Sequence, residues 1–182
     1  MKELSLNILD ITENSVKAKA TLVEILLTED EDKLTITIKD DGVGMTKEIL
    51  EQVRNPFYTT RTTRKVGMGI PLFQFAAEQT GGNVTIESQH IDANPESHGT
   101  AISALFFKKH IDFTPLGDIV STIVTLIQGH PDTDFIFEHK TAENAVRLDT
   151  KELRDVLDGV PLDTFEVLIW IKENLEEQYN SI

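Results

Sequence analysis

The segment DDGVGMTKEILEQVRNPFYTTRTTRKVGMGI, residues 40–70, contains the features that lead to a fold prediction. It begins with an acidic turn that contains Gly42 and Gly44, and it ends with a second glycine pair, Gly67 and Gly69. The residues between the two pairs are basic and rich in threonine, although the whole chain has 31 acidic and 17 basic residues and a formal charge of −14. Residues 52–77 contain no acidic residue, and their basic residues are Arg54, Arg61, Arg64 and Lys65.

The composition of the 182-residue chain narrows the classes of function. Its negative charge disfavours broad binding to nucleic acids or anionic membranes, which requires a positive surface. The chain has no cysteine, which excludes disulfides and thiolate zinc sites. The N-terminus is too polar for a signal peptide, and no apolar run approaches the roughly 20 residues of a membrane span. We therefore predict a cytoplasmic protein that binds neither nucleic acid nor membrane.

The periodicity of apolar residues predicts an α+β domain over residues 1–110. Helices that are segregated from mainly antiparallel strands indicate a two-layer sandwich. The stretch 54–69 has no clean period and is predicted to be a long loop, which in a compact domain is usually functional or disordered. The predicted elements are a helix at 3–19, strands at 21–28 and 34–39, helices at 45–53 and 70–80, and strands at 83–90 and 100–108.

The character of the sequence changes after residue 110, and residues 111–182 are predicted to form a small α+β unit of unknown role. Its predicted elements are a helix at 115–129, a hairpin formed by DFIFEHK and AVRLD, and helices near 151–158 and 164–178. Asp149 with Glu152, and Asp163 with Glu166, have the spacing of capping boxes at the last two helices. About seventy residues is small for an independent domain, so we expect this unit to pack against the first.

Three polar residues of the first predicted helix are candidates for chemistry. Asp10, Asn14 and Lys17 are spaced i, i+4 and i+7 and therefore share one helical face. A carboxylate, an amide oxygen and an ammonium group on one face can polarise water, ligate Mg²⁺ and contact a phosphate. Taken alone, this spacing is more typical of the solvated face of a surface helix.

The acidic turn after the second predicted strand is a candidate for binding a flat ligand. Gly42 and Gly44 allow the backbone to turn tightly and to approach such a ligand. The carboxylate of Asp40 can accept a hydrogen bond from an exocyclic amine such as that of adenine. An ordinary strand-to-helix turn explains the same residues equally well.

The basic loop favours an anion-binding function. Arg61, Arg64 and Lys65 precede Gly67-Met68-Gly69, which leads into the next predicted helix. The free N–H groups of a helix N-terminus attract anions, and nearby arginine and lysine strengthen that attraction. The loop is therefore suited to close over a triphosphate. Thr100, at the start of the last strand of the domain, adds a hydroxyl that could meet the phosphates.

These motifs, in this order, resemble those of the GHKL superfamily, which includes gyrase, heat-shock chaperone ATPases, histidine kinases and mismatch-repair ATPases. Neither a GxxxxGK[ST] phosphate loop nor a GxGxxG fingerprint occurs. The resemblance spans residues 3–108 and implies the Bergerat fold, a mixed and mainly antiparallel sheet with helices on one face. LDITENSVKAKA resembles the N box, DDGVGM the first glycine box, NPFYTTRTTRKVGMGIPL the phenylalanine motif, lid and second glycine box, and HGTAI the last box.

The resemblance implies ATP and Mg²⁺ as cofactors and gives each candidate residue a role. Asn14 matches the Mg²⁺-binding asparagine, Lys17 a phosphate-contacting lysine, and Asp40 the adenine-binding aspartate. Thr100 matches the threonine of the last box. By the same resemblance Gly42 and Gly44 frame the base, Gly67, Met68 and Gly69 lie under the phosphates, and Arg61, Arg64 and Lys65 belong to the mobile ATP lid.

The chain departs from the pattern of the superfamily at three places. Asp10 stands where hydrolases have a glutamate general base and histidine kinases an asparagine; aspartate is one methylene shorter than glutamate, so hydrolysis is expected to be slow or absent. Pro71 replaces a common third glycine and is tolerated in the first turn of a helix. Nine residues precede Asp10, which leaves no room for a dimerisation and phospho-acceptor module in this sequence.

Three functions remain open. The first is an ATP-binding protein of histidine-kinase type in which nucleotide controls the contact with a protein partner. The second is a protein kinase that phosphorylates an acceptor in trans, as anti-sigma-factor kinases do. The third is a weak ATPase that couples hydrolysis to a conformational change. The fate of the γ-phosphate distinguishes them.

Overall fold

The structure, a computed structural model, describes residues 2–54 and 69–181 of the chain. The helices and strands follow one another in the order α1, β1, β2, α2, α3, β3, β4, α4, β5, β6, α5, α6. Their bounds are α1 Leu4–Lys17, β1 Leu22–Glu29, β2 Lys33–Asp40, α2 Lys47–Arg54, α3 Gly69–Gln79, β3 Asn83–Gln89, β4 Gly99–Phe107, α4 Ile119–Gly129, β5 Asp134–Lys140, β6 Ala145–Asp149, α5 Thr150–Leu157 and α6 Phe165–Asn180.

The strands form one six-stranded sheet in the order β3-β4-β2-β1-β5-β6. Neighbouring strands are antiparallel, except that β1 and β5 run parallel. The prediction of a mixed, mainly antiparallel sheet in an α+β fold of Bergerat type is therefore confirmed.

One face of the sheet is apolar because buried and less buried residues alternate along the central strands. In β1 the buried residues are Val23, Ile25 and Leu27. Register continues this face across the sheet, since Ile25 lies opposite Ile38 of β2 and opposite Phe137 of β5. The helices cover this apolar face.

The helical layer is centred on α1, which packs against α3 on one side and α4 on the other, while α4 also packs against α6. Leu4, Ile8 and Ile11 recur along one stripe of α1 and are almost completely buried. The opposite face of α1 is thereby left free to present polar side chains.

Strands from both sides of residue 110 contribute to the same sheet. Val23 of β1 lies opposite Phe135 of β5 and Ile25 lies opposite Phe137, and all four residues belong to one hydrophobic core. The elements after residue 110 therefore lie beside the central strand β1.

The start of α4 differs from the sequence prediction. The fourth helix begins at Ile119 rather than at residue 115, because the side chain of Asp118 accepts a hydrogen bond of 2.9 Å from the backbone N–H of Ser121 and so caps it. The preceding carbonyls of Pro115 and Leu116 instead accept hydrogen bonds from the free N–H groups of Leu4 and Ser5 at the start of α1.

The two predicted capping boxes have different outcomes. Asp149 caps α5 as predicted, since its side chain accepts hydrogen bonds from the backbone N–H groups of Lys151 and Glu152. The prediction for Asp163 is wrong. The N-cap position of α6 is occupied by Thr164, and its side chain makes no hydrogen bond to the helix.

Candidate functional site

Asp40 connects three separate parts of the chain at one end of the sheet. Its Oδ2 atom accepts a hydrogen bond of 2.6 Å from the hydroxyl of Ser15 on α1. Its Oδ1 atom accepts bonds of 3.0 Å from the backbone N–H of Gly42 and of 3.2 Å from that of Thr100. The first helix, the glycine turn and the start of β4 therefore meet at one carboxylate.

The hydrogen bonds to Asp40 leave it capacity to accept another. An ionised carboxylate has about four lone-pair positions, and the protein donors occupy three of them. Asp40 is partly exposed, so a donor from solution can reach it. The carboxylate is held in a fixed orientation and can still accept one hydrogen bond from a ligand amine.

Asp41 fixes the turn on the side of β1. Its carboxylate accepts hydrogen bonds of 2.7 Å from the backbone N–H of Thr21, 2.5 Å from the hydroxyl of Thr21 and 2.9 Å from the N–H of Leu22. Burial opposes ionisation of Asp41, but these hydrogen bonds outweigh it and hold the pKa of the carboxyl below its ordinary value. The ionised form of Asp41 therefore ties the glycine turn to the start of the central strand.

Gly44 is required by the shape of the turn. Its φ angle is +71°, and a Cβ atom at this position would collide with the backbone carbonyl of Gln89. The turn is also held by hydrogen bonds of 2.9 Å from the N–H of Val43 to the carbonyl of Ala18, and of 2.9 Å from the N–H of Ile91 to the carbonyl of Val43. The turn is therefore a rigid element of the site.

Two further side chains hold the turn from the side of β3 and β4. The hydroxyl of Ser88 accepts a hydrogen bond of 2.8 Å from the backbone N–H of Met45 and lies 2.8 Å from the hydroxyl of Thr100. The Nδ1 atom of His98 lies 2.6 Å from the carbonyl oxygen of Gly42. Because a carbonyl only accepts, Nδ1 of His98 carries the proton in this contact.

The polar face of α1 borders the start of α3 and remains open to solvent. Asp10 and Lys17 are exposed and Asn14 is partly buried. A Cβ atom added to Gly69 would lie 3.1 Å from the Cβ of Asp10 and 3.8 Å from the Nδ2 of Asn14. A glycine at position 69 thus allows the backbone of α3 to approach α1 beside its polar face.

Two side chains of the described residues offer oxygen atoms of the kind that ligate Mg²⁺ in a magnesium nucleotide complex. Mg²⁺ prefers oxygen ligands and commonly binds through one or two protein groups together with phosphates and water, and Asp10 and Asn14 offer such oxygens on one face. In residues 2–54 and 69–181 no group of three or more His, Cys, Asp or Glu side chains could hold a metal ion by itself. Two oxygen-bearing side chains are what a protein commonly supplies to Mg²⁺ that also has phosphate and water ligands.

The predicted site residues fall into three groups. Asp40, Gly42, Gly44 and Thr100 lie together around the glycine turn. Asp10, Asn14 and Gly69 lie together where α1 meets α3, and Lys17 lies in the last turn of α1. The remaining predicted residues, Arg61, Arg64, Lys65, Gly67 and Met68, lie outside the described residues.

Sequence reasoning missed four side chains that shape this site: Ser15, Asp41, Ser88 and His98. Ser15 carried a usable signal, because it is a polar residue on the otherwise apolar stripe of α1 and such a residue needs a buried partner. The other three carried none, because their roles depend on contacts with segments that are distant in sequence.

The sequence matches a known family over its first part. Residues 2–110 match the family model described as histidine kinase-, DNA gyrase B-, and HSP90-like ATPase. Sporulation kinase A of Bacillus subtilis is 31% identical over 109 residues, which are 60% of this chain and 17% of the kinase. The sensor histidine kinase CpxA of Escherichia coli is 34% identical over 83 residues, 43% of this chain and 18% of that protein. The chain thus spans less than a fifth of the length of these relatives.

The fold is similar to solved structures over a larger share of the chain. The Aquifex aeolicus MutL ATPase domain complexed with ADP has a TM-score of 0.55 and 15% identity, and the match covers 87% of this chain and 70% of that one. The N-terminal domain of a DNA repair protein has a TM-score of 0.56 and 15% identity, and the match covers 82% and 53%. These shares exceed what residues 2–110 alone could supply, so the similarity of fold extends into the elements that follow.

Proposed function

This chain belongs to the family of histidine kinase-, DNA gyrase B- and HSP90-like ATPases, and we propose that it binds Mg-ATP to control its contact with a partner protein. The observation that carries the proposal is the set of hydrogen bonds by which Asp40 joins Ser15 of α1 to Thr100 of β4. This set gives the first helix and the glycine turn a common, fixed geometry around one carboxylate.

In this proposal the adenine binds beside Asp40. The carboxylate accepts a hydrogen bond from the exocyclic amine, and Gly42 and Gly44 leave room for the flat base. The orientation of Asp40 is supported by three protein donors, so that binding does not have to order this side chain. An amine donor distinguishes adenine from a base that presents a carbonyl at the same position, because two acceptors would face each other.

The polar face of α1 is proposed to bind the metal and the phosphates. Asn14 provides an amide oxygen for Mg²⁺, and Lys17 provides an ammonium group that contacts a phosphate oxygen. When bound, Mg²⁺ neutralises charge on the phosphate oxygens. Gly69 leaves the approach to this face open, and Thr100 adds a hydroxyl from the strand side.

The basic segment completes the proposed site as an ATP lid. Arg61, Arg64 and Lys65 supply positive charge, and Gly67, Met68 and Gly69 supply backbone N–H groups at the phosphates. The formal charge of the whole chain is −14, so most of its surface repels a nucleotide. The lid would supply the local attraction that the rest of the surface lacks.

In the proposed function the γ-phosphate stays on the bound nucleotide. Asp10 is exposed on the same face as Asn14, and its carboxylate can orient a water molecule. Weak hydrolysis and phosphoryl transfer to another protein are the alternatives.

Calorimetry with Mg-ATP tests the binding site. We expect the wild-type protein to bind and Asp40→Ala to show no measurable binding, whereas the control Asp92→Ala, at an exposed loop position, keeps the wild-type affinity. Undiminished affinity in Asp40→Ala would contradict the assignment of the base pocket.

Incubation with γ-labelled ATP then separates the three fates of the nucleotide. Intact ATP after long incubation supports a binding protein, and free phosphate that disappears in Asp10→Asn supports a weak ATPase. Label on a second protein added from a cell extract, lost when Asp40→Ala replaces the wild type, supports a kinase acting in trans.

A further inference from the structure

Helices α5 and α6 and the segment that joins them carry exposed apolar side chains. We call this set the C-terminal patch, and its members are Val156, Val160, Phe165, Ile169 and Trp170, with exposed fractions of 82%, 44%, 71%, 39% and 50%. In the described part of the chain the other exposed large apolar side chains are Leu6 of α1, Ile49 of α2, Phe75 of α3 and Ile111 in the loop after β4. Phe165, Ile169 and Trp170 lie within two turns of α6, and exposed apolar residues that lie so close together are typical of an interaction surface.

The side chains of the C-terminal patch are not those that pack into the hydrophobic core. Helix α6 buries a separate stripe against the protein, formed by Val167, Leu168, Ile171 and Leu175. The connection between α5 and α6 is fixed by Leu162, which is completely buried. Its neighbours Val160 and Phe165 nevertheless remain exposed to solvent.

The arrangement on α6 brings apolar and acidic side chains together. Phe165 and Ile169 are four residues apart and are therefore neighbours on one stripe of the helix. Glu166 and Trp170 form a second stripe with the same spacing, and Glu173 follows Ile169 after one further turn. Around the helix, Glu166 and Glu173 therefore lie between Trp170 and the stripe of Phe165 and Ile169.

The surroundings of the C-terminal patch are strongly acidic. Residues 155–177 contain seven acidic residues, all exposed, and a single basic residue, Lys172. The ammonium group of Lys172 lies 3.7 Å from a carboxylate oxygen of Glu176, so its charge is already compensated. The acidic residues are Asp155, Asp158, Asp163, Glu166, Glu173, Glu176 and Glu177.

We propose that the C-terminal patch docks a segment of a partner protein that presents lysine or arginine beside apolar side chains. The negative charge around the C-terminal patch favours a basic partner over the other possible occupants. A second copy of the chain would bring the same acidic surface, and nucleic acids and anionic lipids are also negative, so each of these is repelled. A basic segment satisfies Glu166 and Glu173 while its apolar side chains cover Phe165, Ile169 and Trp170.

Trp170 provides a direct reporter for this docking, because it is the only tryptophan in the chain. The probe is a synthetic amphipathic helical peptide of leucine and lysine with a length of about five turns. We expect a saturable blue shift of Trp170 emission with this peptide, because its leucines remove the indole from water. A peptide with glutamate in place of lysine, and one with serine in place of leucine, are expected to cause no shift.

Variants then locate the contact by the fluorescence anisotropy of the labelled leucine–lysine peptide. Phe165→Ser and Glu173→Lys are each expected to weaken binding by about tenfold or more, as for central residues of an interface. The matched controls are Phe75→Ser, an exposed phenylalanine of α3, and Glu143→Lys, an exposed acid of the β5–β6 turn. Both controls are expected to keep the wild-type affinity.

Three results would overturn the proposal. One is the absence of binding, or equal binding of the glutamate peptide. Another is an equal loss of affinity in the control variants, which would indicate non-specific attraction to an acidic protein. The third is a dimer in sedimentation that Phe165→Ser makes monomeric, since the occupant would then be a second copy. Each of these outcomes leaves nucleotide binding at Asp40 unaffected, so the two proposals fail separately.

Discussion

The hydroxyl of Ser15 donates a hydrogen bond of 2.6 Å to Oδ2 of Asp40, across 25 positions of sequence. Ser15 is buried on the inner side of α1, and its neighbour Asn14 faces the start of α3. The bond therefore fixes the glycine turn relative to the helix that carries Asn14 and Lys17. Replacing Ser15 or Asp40 removes this connection between the turn and the helix.

Ser15→Ala is expected to weaken Mg-ATP binding without unfolding the protein. The substitution leaves Asp40 with two donors in place of three, and the loss of a hydrogen bond to a charged group costs about 1.5 to 3 kcal/mol when no water replaces it. We expect calorimetry to show about tenfold lower affinity and thermal unfolding to show a lower Tm. Ser181→Ala, at an exposed position after α6, is the control and should change neither quantity.

Asn14→Ala is expected to abolish the dependence of ATP binding on Mg²⁺. The amide oxygen is the proposed metal ligand, so its loss should lower affinity in Mg²⁺ to the level measured with a chelator. Affinity measured with the chelator should stay close to that of the wild type. Asn83→Ala, on the exposed start of β3, serves as the control, and a full Mg²⁺ dependence in Asn14→Ala would show that another residue binds the metal.

His139 is expected to make the protein less stable in mild acid. The residue is 4% exposed, and its Nδ1 atom lies 2.8 Å from the hydroxyl of Tyr179. Within residues 2–54 and 69–181 its Nε2 atom has no hydrogen-bond partner, and it lies 3.8 Å from a carboxylate oxygen of Glu29. Burial lowers the pKa of His139 from 6.5, Glu29 opposes this effect and Lys108 adds to it.

Protonation of His139 favours the unfolded chain over the folded one. Because the pKa of His139 is lower in the folded protein, the unfolded chain binds the proton more readily, and stability falls as the pH drops below 6.5. Denaturant titrations should show a slope of at most about 1.4 kcal/mol per pH unit from this residue. The slope should become smaller in His139→Leu and should persist in His110→Gln, whose histidine is exposed. Equal slopes in His139→Leu and wild type would exclude His139 as the source.

Thr12→Val is expected to stabilise the protein. Thr12 is completely buried on α1, and in the described part of the chain its hydroxyl has no hydrogen-bond partner. Replacing the hydroxyl by a methyl group of similar shape removes the cost of an unsatisfied polar group, about 1 kcal/mol or more. Chemical denaturation measures this gain. An unchanged or lower midpoint would indicate that the hydroxyl has a partner in solution.

The sequence predicted best what depends on local pattern. The apolar stripe of α1 and the alternation in β1 and β2 are visible in single segments, and the structure has these elements within a few residues of the predicted bounds. The cap at Asp118 was missed because the apolar pattern continues upstream to Leu116, although the carbonyls of this stretch bond to α1 instead.

Contacts between distant segments account for what the sequence did not predict. The parallel pairing of β1 with β5 joins residues more than a hundred positions apart, and no local pattern encodes such a pairing. The hydrogen bonds of Asp41 were missed for the same reason, because its partner Thr21 lies 20 positions earlier, before β1. By contrast, the order of the four motifs was sufficient to identify the family.

The parallel pairing of β1 with β5 also has a consequence for shortened versions of the chain. Without β5, β1 would become an edge strand whose backbone N–H and C=O groups face solvent along Leu22–Glu29. Unpaired strands of this kind recruit strands from other molecules. Removing the residues after 110 would therefore favour aggregation, even though the segments around Asp40 would remain in the fragment.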